Sequence, residues 1–442
     1  SRELFDRSNT IRMLTKMPDG DIWVGTRKGG LYTFDSNLHS KMSNQYFHSN
    51  IYAIAEDNQG EMWVGTRGNG LKVGDSWYRN EVSDPASLSE NNVFSLFRDR
   101  KDRMWIGTFG GGLELAEPTT DGKYKFRHFL QQKFGLRMVR VIEEDDNGMI
   151  WVGTSEGVCI FHPDSLIADS DDYHLFNYTN GTFCSNEIRC IYRDTKGRMW
   201  VGTSGSGLNL CEPEDNYRSL KYEHYGTSEG LVNDVIQSIL GDNNGNLWVA
   251  TEYGISKFNP TNHSFENYFF SSYTLGNVYS ENSACVGVDG KLLFGTNYGL
   301  LVIDPDKNTL EMYTTEGHAT LILRFDTSSD GWEYGDLILR KYAGDQLILE
   351  TTVYPERIRI QNHVENTDII LNPNNVSFYG SKGETLLVGM KPVYNGVGVY
   401  KHVANIDCSN WPGKDDVSSG QVYVEYETVE GVVTNGTLKV KK

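Results

Sequence analysis

The chain has 442 residues, 38% of them hydrophobic, with 46 glycines and only 11 prolines, a balance that predicts a large β protein with far more than one small core. Its 41 lysines and arginines face 59 aspartates and glutamates, a formal charge of −18, which repels phosphate backbones and anionic lipid and so excludes nucleic acid as a partner. No stretch of about 18 apolar residues occurs, so no direct membrane insertion is predicted. The sequence opens Ser1-Arg2-Glu3 with neither an initiator Met nor a hydrophobic segment, as expected of a processed or excised fragment.

Along the chain, one line is written repeatedly. Pro18 to Thr26 is a short first copy, and Asp57 to Thr66 (DNQGEMWVGT) is the fullest. Asp102 to Thr108 follows with its turn built on Asp99, then Asp145 to Thr154, Asp194 to Thr203 and Asp242 to Thr251. A seventh copy, Asp289 to Thr296 (DGKLLFGT), places Phe294 where the others have Trp23, Trp63, Trp105, Trp151, Trp200 and Trp248. The period of about 40 to 49 residues is that of one four-stranded propeller blade.

Within the second copy, Ile51 to Glu56 reads as an inner strand. Asp57 to Gly60 follows as a tight turn, in which Asp bonds its own backbone two residues on. Glu61 to Thr66 is the second strand, whose Trp63 fills the space between blades while Gly65 admits a close neighbour. A glycine-rich hairpin at Arg67 to Gly70 leads to a third strand at Leu71 to Val73. Each blade leaves an apolar face that only the next can cover, so the array is expected to close as a ring of seven. Leu310 to Tyr313 offers the seventh blade an outer strand, while Glu3 to Phe5 is a second candidate for closing the ring.

The pattern D-x-x-G-x-[LIM]-W-[VI]-G-T-x-x-G-[LV] resembles the two-component regulator propeller repeat over about residues 9 to 315. That resemblance implies the extracytoplasmic sensor region of a Bacteroidetes-type hybrid two-component system, which senses oligosaccharides and signals to a histidine kinase. The family's sensors usually carry two propellers, a Tyr-rich β-sandwich, a membrane helix and a kinase core. This chain has one propeller and neither of the last two, so a membrane-anchored kinase module is expected outside it.

The expected fold is all-β: a seven-bladed β-propeller at 1–316, followed by a β-sandwich region at 317–442. Alternating segments such as Thr320 to Phe325, Gln346 to Tyr354 and Gln421 to Glu427 divide that region into modules at 317–365 and 366–442, the second immunoglobulin-like. Ser329 to Trp332 reads as a hairpin turn with a packing Trp.

The Asp-x-x-Gly turns are uniform and read as scaffold, whereas the loops at the opposite end differ from blade to blade, as a binding face should. Candidate ligand-binding residues there are Arg27, Lys28, Arg67, Asn69, Phe109, Arg137, Glu156, Glu252, Tyr253, Asn297 and Tyr298, with Ser204 and Arg140 beside them. Aromatic faces stack on sugar C–H surfaces, and forked donors bond hydroxyls or carboxylates, so an oligosaccharide or a protein is the expected ligand. A homodimer fits the same reading.

Catalytic signatures are missing: Gly stands three positions after Asp, unlike the Asp box of sialidases, and no Ser-His-Asp order or HExxH occurs. No cofactor is expected and no metal, since neither Asp169 to Asp172 nor Asp242 to Gly245 supplies a calcium-loop ligand series. The six scattered cysteines are read as small buried apolar residues. The expectation is a non-catalytic periplasmic or cell-surface sensor. The alternative is a secreted or surface-exposed protein that recognises glycan or protein without signalling.

Overall fold

A computed structural model describes residues 10–306, apart from 39, 182, 184, 269–278 and 298, and beyond these the strands between Thr309 and Lys441. Each repeat folds as one antiparallel sheet in chain order. The first blade is β1 (Ile11–Lys16), β2 (Ile22–Thr26), β3 (Gly30–Phe34) and β4 (Ser40–Tyr46); the second is β5 (Ile51–Glu56), β6 (Met62–Thr66), β7 (Leu71–Val73) and β8 (Ser76–Tyr78). The third holds β9 (Val93–Arg98), β10 (Met104–Thr108), β11 (Gly112–Pro118) and β12 (Tyr124–Phe129). In the fourth, β13 (Val139–Glu144), β14 (Ile150–Thr154) and β15 (Val158–Phe161) precede a short helix, α1 (Pro163–Ala168), and β16 (His174–Phe176). The fifth is β17 (Ile188–Arg193), β18 (Met199–Thr203), β19 (Leu208–Glu214) and β20 (Ser219–Tyr225); the sixth is β21 (Ile236–Gly241), β22 (Leu247–Thr251), β23 (Gly254–Asn259) and β24 (Ser264–Tyr268). The seventh is β25 (Tyr279–Val286), β26 (Leu292–Thr296), β27 (Gly299–Asp304) and β28 (Thr309–Tyr313), so the chain is a seven-bladed β-propeller.

By its internal contacts the chain divides into one unit of Ile11–Phe265 with Tyr279–Gly287, and a second containing Val288–Lys442. All seven inner strands lie in the first unit, and the ring closes there, with β25 beside both β21 and β1. Glu3 to Phe5 lie outside the described residues, and β28 is the outer strand expected from Leu310 to Tyr313. Between Ala319 and Lys441, thirteen further strands pair in three antiparallel sheets among the described residues. The turn at Ser329 to Trp332 lies outside them.

The repeat is a hydrogen-bonding address. In blade two, Asp57 Oδ1 accepts the backbone N–H groups of Gln59 and Glu61, both at 2.9 Å, and Oδ2 accepts Trp63 Nε1 at 3.0 Å. The same Asp-to-Trp bond recurs as Asp99 to Trp105, Asp145 to Trp151, Asp194 to Trp200 and Asp242 to Trp248, at 2.9 to 3.0 Å. Asp242 is thereby consumed by protein donors, including both Asn246 N and Nδ2, which explains its sequence pattern without a cation. Blade one departs: Met17 stands where the Asp should be, and Trp23 is only half-buried.

Each ring then packs on the following blade. Trp105 clusters with Ile142, Ile150 and Phe161 of blade four, and Trp151 with Ile191, Met199 and Val201 of blade five. The Gly of Trp-Val-Gly-Thr serves the same seam. A Cβ on Gly65 would come within 2.6 Å of Val93 Cγ1, and one on Gly202 within 2.6 Å of Ile236 Cγ2, each the first residue of the next inner strand.

Register corrects one reading in blade seven. Thr296 pairs with Gly299 as Thr251 pairs with Gly254, so Phe294, opposite Leu301, matches Val249, opposite Ser256. Leu293, opposite Val302, takes the place of Trp248, opposite Lys257. The shift of one residue puts Phe294 on the opposite face of its strand. An apolar side chain at the tryptophan position needs no Asp acceptor, and Gly287 stands there instead.

Candidate ligand-binding site

The inner strands carry a feature that periodicity did not reveal. In blades one to six the register slips between the first and third residues of the inner strand, so one residue bulges: Arg12, Tyr52, Phe94, Arg140, Arg189 and Gln237. Bulges re-aim a side chain, and all six are half-buried beside fully buried neighbours such as Ile51, Val93 and Ile188. In β25, Glu281 and Asn282 occupy this level, Asn282 with φ 51°. The bulges lie where each inner strand leaves the variable loops.

Tyr52, Phe94, Arg140, Arg189, Glu281 and Asn282 form one connected arc. Tyr52 stacks on Phe94 with centroids 4.2 Å apart, and Phe94 stacks on Phe109 at 4.8 Å. The Arg140 guanidinium lies over Phe109 at 5.0 Å. Arg140 Nη1 also donates to both oxygens of Glu281 at 2.9 Å, and its Nη2 to Glu187 Oε1 at 2.7 Å. Arg189 meets Glu281 at 2.8 Å and Glu187 at 3.1 Å, and its Nη2 reaches Ser204 Oγ at 3.3 Å. Asn282 Nδ2 donates to the Arg189 carbonyl at 2.8 Å. The Nε atoms of Arg12, Arg137, Arg140 and Arg189 are buried without a hydrogen-bond partner among the described residues.

A second feature lies on the same face. Arg27 and Lys28 of the β2–β3 loop, His48, Ser49 and Asn50 of the β4–β5 connection, and Arg67 of the β6–β7 loop line a cleft of about 470 Å³. The loops are pinned to one another: Arg67 N donates to Asn50 O at 3.0 Å, Phe47 N to Gly29 O at 2.8 Å, and Ser49 Oγ to Arg67 O. Gly29 sits at φ 89°, and a Cβ there would meet Ser49 O at 2.6 Å, so only glycine allows this approach. On the opposite face, a cleft of about 300 Å³ lies between the turns of blades four and five. There Tyr217 Oη donates to Asp145 Oδ2 at 2.6 Å and accepts from Asn147 Nδ2 at 2.8 Å, tying the two blades together.

The sequence candidates therefore divide. Arg27, Lys28 and Arg67 share the rim cleft, and Phe109, Arg140 and Ser204 share the channel mouth. Arg137 lies over Phe134 at 5.5 Å, and its carbonyl accepts from Gly110 and Gly112. Asn69 Nδ2 reaches Phe47 O at 3.4 Å, and its carbonyl accepts from Arg79 Nε. Glu156 pairs with Lys133 at 3.5 Å, while Glu252 and Tyr253 are exposed on their own loop. The Asn297 carbonyl accepts from Thr10 Oγ1 at 3.2 Å, and Tyr298 lies outside the described residues.

Sequence reasoning missed Arg12, Tyr52, Phe94, Arg189, Gln237 and Glu281. A signal was available: each follows the near-invariant Ile or Val of its inner strand, apart from Glu281, and changes chemistry from blade to blade. Cys159, Cys190 and Cys211 are buried free thiols, whose pKa burial raises, and Cys184 and Cys408 lie outside the described residues.

Repeat and blades together define a seven-bladed propeller whose inner strands gather aromatic and charged side chains at one end of the ring. Four segments, 45–68, 87–110, 182–205 and 230–253, match the two component regulator propeller family. The chain is 24% identical over 259 residues to histidine kinase P4 of Formosa agariphila, spanning 58% of this chain but 18% of the kinase. Among solved structures, the extracellular domain of the hybrid two component system BT3049 from B. thetaiotaomicron aligns with 95% of this chain and 56% of its own, at 23% identity and a TM-score of 0.57. A virginiamycin B lyase from Staphylococcus aureus aligns with 67% of this chain and 94% of its own, at 12% identity and a TM-score of 0.51, a likeness of fold alone.

Proposed function

We propose that this chain is the extracytoplasmic ligand-sensing region of a two-component signalling system, acting at the periplasmic or outer face of the cell, with the kinase that reads it outside the chain. The matched repeats and the likeness to an extracellular sensor domain support this reading. The ligand is an oligosaccharide held on the loop face of the propeller domain at 1–316, with the β-rich region at 317–442 relaying the change.

One observation carries the ligand reading: in blades one to six the bulge position changes chemistry while the Ile or Val before it is kept, and with Phe109, Glu187 and Glu281 it gathers three stacked aromatics beside two arginines and two glutamates. Flat rings offer stacking to a sugar, and forked donors offer directional bonds to its hydroxyls. A thermal-shift screen against neutral and acidic oligosaccharides tests it. A ligand at about 100 times its Kd adds about 2.7 kcal/mol, and the rise should vanish in Tyr52→Ala or Phe109→Ala. A rise that both variants retain places the ligand elsewhere.

A further inference from the structure

We propose that the rim cleft of blades one and two binds anionic groups, so that the ligand of this propeller carries two or more carboxylates or sulfate esters. This deepens the sensor reading and rests on it. Arg27, Lys28 and Arg67 come from two loops and converge on one cavity of about 470 Å³ lined also by His48, Ser49 and Asn50. None of the three cations has an acidic partner within ion-pair distance among the described residues, and no carboxylate lines the cavity.

The contrast with the rest of the molecule gives that observation its weight. The chain has 59 acidic against 41 basic residues, so a cluster of three cations with no carboxylate among them runs against its composition. Arg100, Arg103, Arg140, Arg189, Arg193 and Arg198 each meet a carboxylate at 2.9 Å or less. Three unpaired positive charges in one place repel each other, and an incoming anion relieves that repulsion. The loops bearing them are already fixed by backbone bonds and by the close approach at Gly29, so little order need be gained on binding. On a surface of net negative charge, this cleft is also where the local field draws an anion in.

Calorimetry of the purified chain provides the test, using a κ-carrageenan hexasaccharide (sulfate esters only), an oligogalacturonate hexamer (carboxylates only) and the unsulfated neoagarohexaose. The expected result is that at least one anionic probe binds about tenfold or more tighter than neoagarohexaose, and that its affinity falls as salt rises. Which probe binds identifies the anion. The double variant Arg27→Glu/Arg67→Glu should weaken it by about 100-fold or more with the melting temperature unchanged, both residues being exposed, whereas Arg193→Glu on the turn face should not. Failure of both anionic probes to bind, equal affinity for the neutral probe, or indifference to the double reversal would overturn the proposal. Tight binding of neoagarohexaose that depends on Tyr52 and Phe109 would overturn it while leaving the oligosaccharide-sensing reading intact.

Discussion

Arg140 and Glu281 stand 141 positions apart in the chain, yet a guanidinium nitrogen of one lies 2.9 Å from both carboxylate oxygens of the other. Arg140 belongs to blade four and Glu281 to blade seven, so the pair joins two inner strands that share no backbone ladder. Arg189 of blade five reaches the same carboxylate at 2.8 Å. One glutamate therefore ties three inner strands at the channel mouth.

Removing that glutamate should loosen the ring. Glu281→Ala leaves Arg140 and Arg189, only 11% and 22% exposed, short of their shared carboxylate. The expected cost is about 2 kcal/mol in urea denaturation. A double-mutant cycle with Arg140→Ala should return a coupling of about 1 kcal/mol or more. Strict additivity would mean the contact does not act across the channel.

The Asp-to-Trp bond predicts a graded tryptophan series. Trp151→Ala should cost about 3 to 5 kcal/mol, because it empties the seam between blades four and five. Trp151→Phe should still cost about 1 to 2 kcal/mol, since Asp145 Oδ2 loses a buried donor. Trp23→Phe, with Met17 in place of the Asp that would accept its indole N–H, should stay within about 0.5 kcal/mol, as should Arg67→Ala on the exposed rim. Equal losses for all four would contradict the division into scaffold and binding face.

Seam glycines should tolerate no methyl. Gly202→Ala pushes a Cβ against Ile236 and Cys190, both within 2.6 Å, and is expected to cost about 1 to 3 kcal/mol. Blade six already carries Ala250 at this position, so Ala250→Gly should change stability by under about 1 kcal/mol. Chemical denaturation of the two variants checks the pair.

Glu114 makes stability depend on pH in an uncommon direction. It is fully buried, its Oε1 accepts from Ser89 N and Oγ, and its Oε2 has no partner. Burial raises its pKa from 4.5 to about 7, against the pull of the Ser89 bonds. Between those two values the folded state holds a proton that the unfolded state has lost. Its contribution is therefore full below about 4.5 and declines as pH rises to about 7, by about 1.4 kcal/mol per unit. Glu114→Gln mimics the protonated acid, so variant and wild type should match near pH 4 and the variant should be more stable at pH 8, by about 3 kcal/mol. A constant difference across that range would show that Glu114 does not titrate there.

The blades were legible because their determinants are local. Asp57, Gly60, Trp63, Gly65 and Thr66 sit within ten residues, and the bonds among them recur wherever the spacing recurs. Blade seven shows the limit: aromatic character suggested Phe294, but strand pairing places Leu293 on the seam, since one residue of register exchanges the faces. Arg27, Lys28 and Arg67 could be assigned to the loop face from the repeat alone, because each follows its blade's Gly-Thr.

What the sequence by itself determined was the number of blades, their order, and the separation of uniform turns from variable loops, all written in contacts a few residues long. Only the tertiary structure decided which variable residues meet. Tyr52, Phe94, Arg140, Arg189 and Glu281 lie in five blades, and their convergence follows from one bulge at the same height in successive inner strands and from closure of the ring. Neither is encoded near any of them: a bulge is a property of strand pairing, and closure brings together positions as far apart as Arg12 and Glu281.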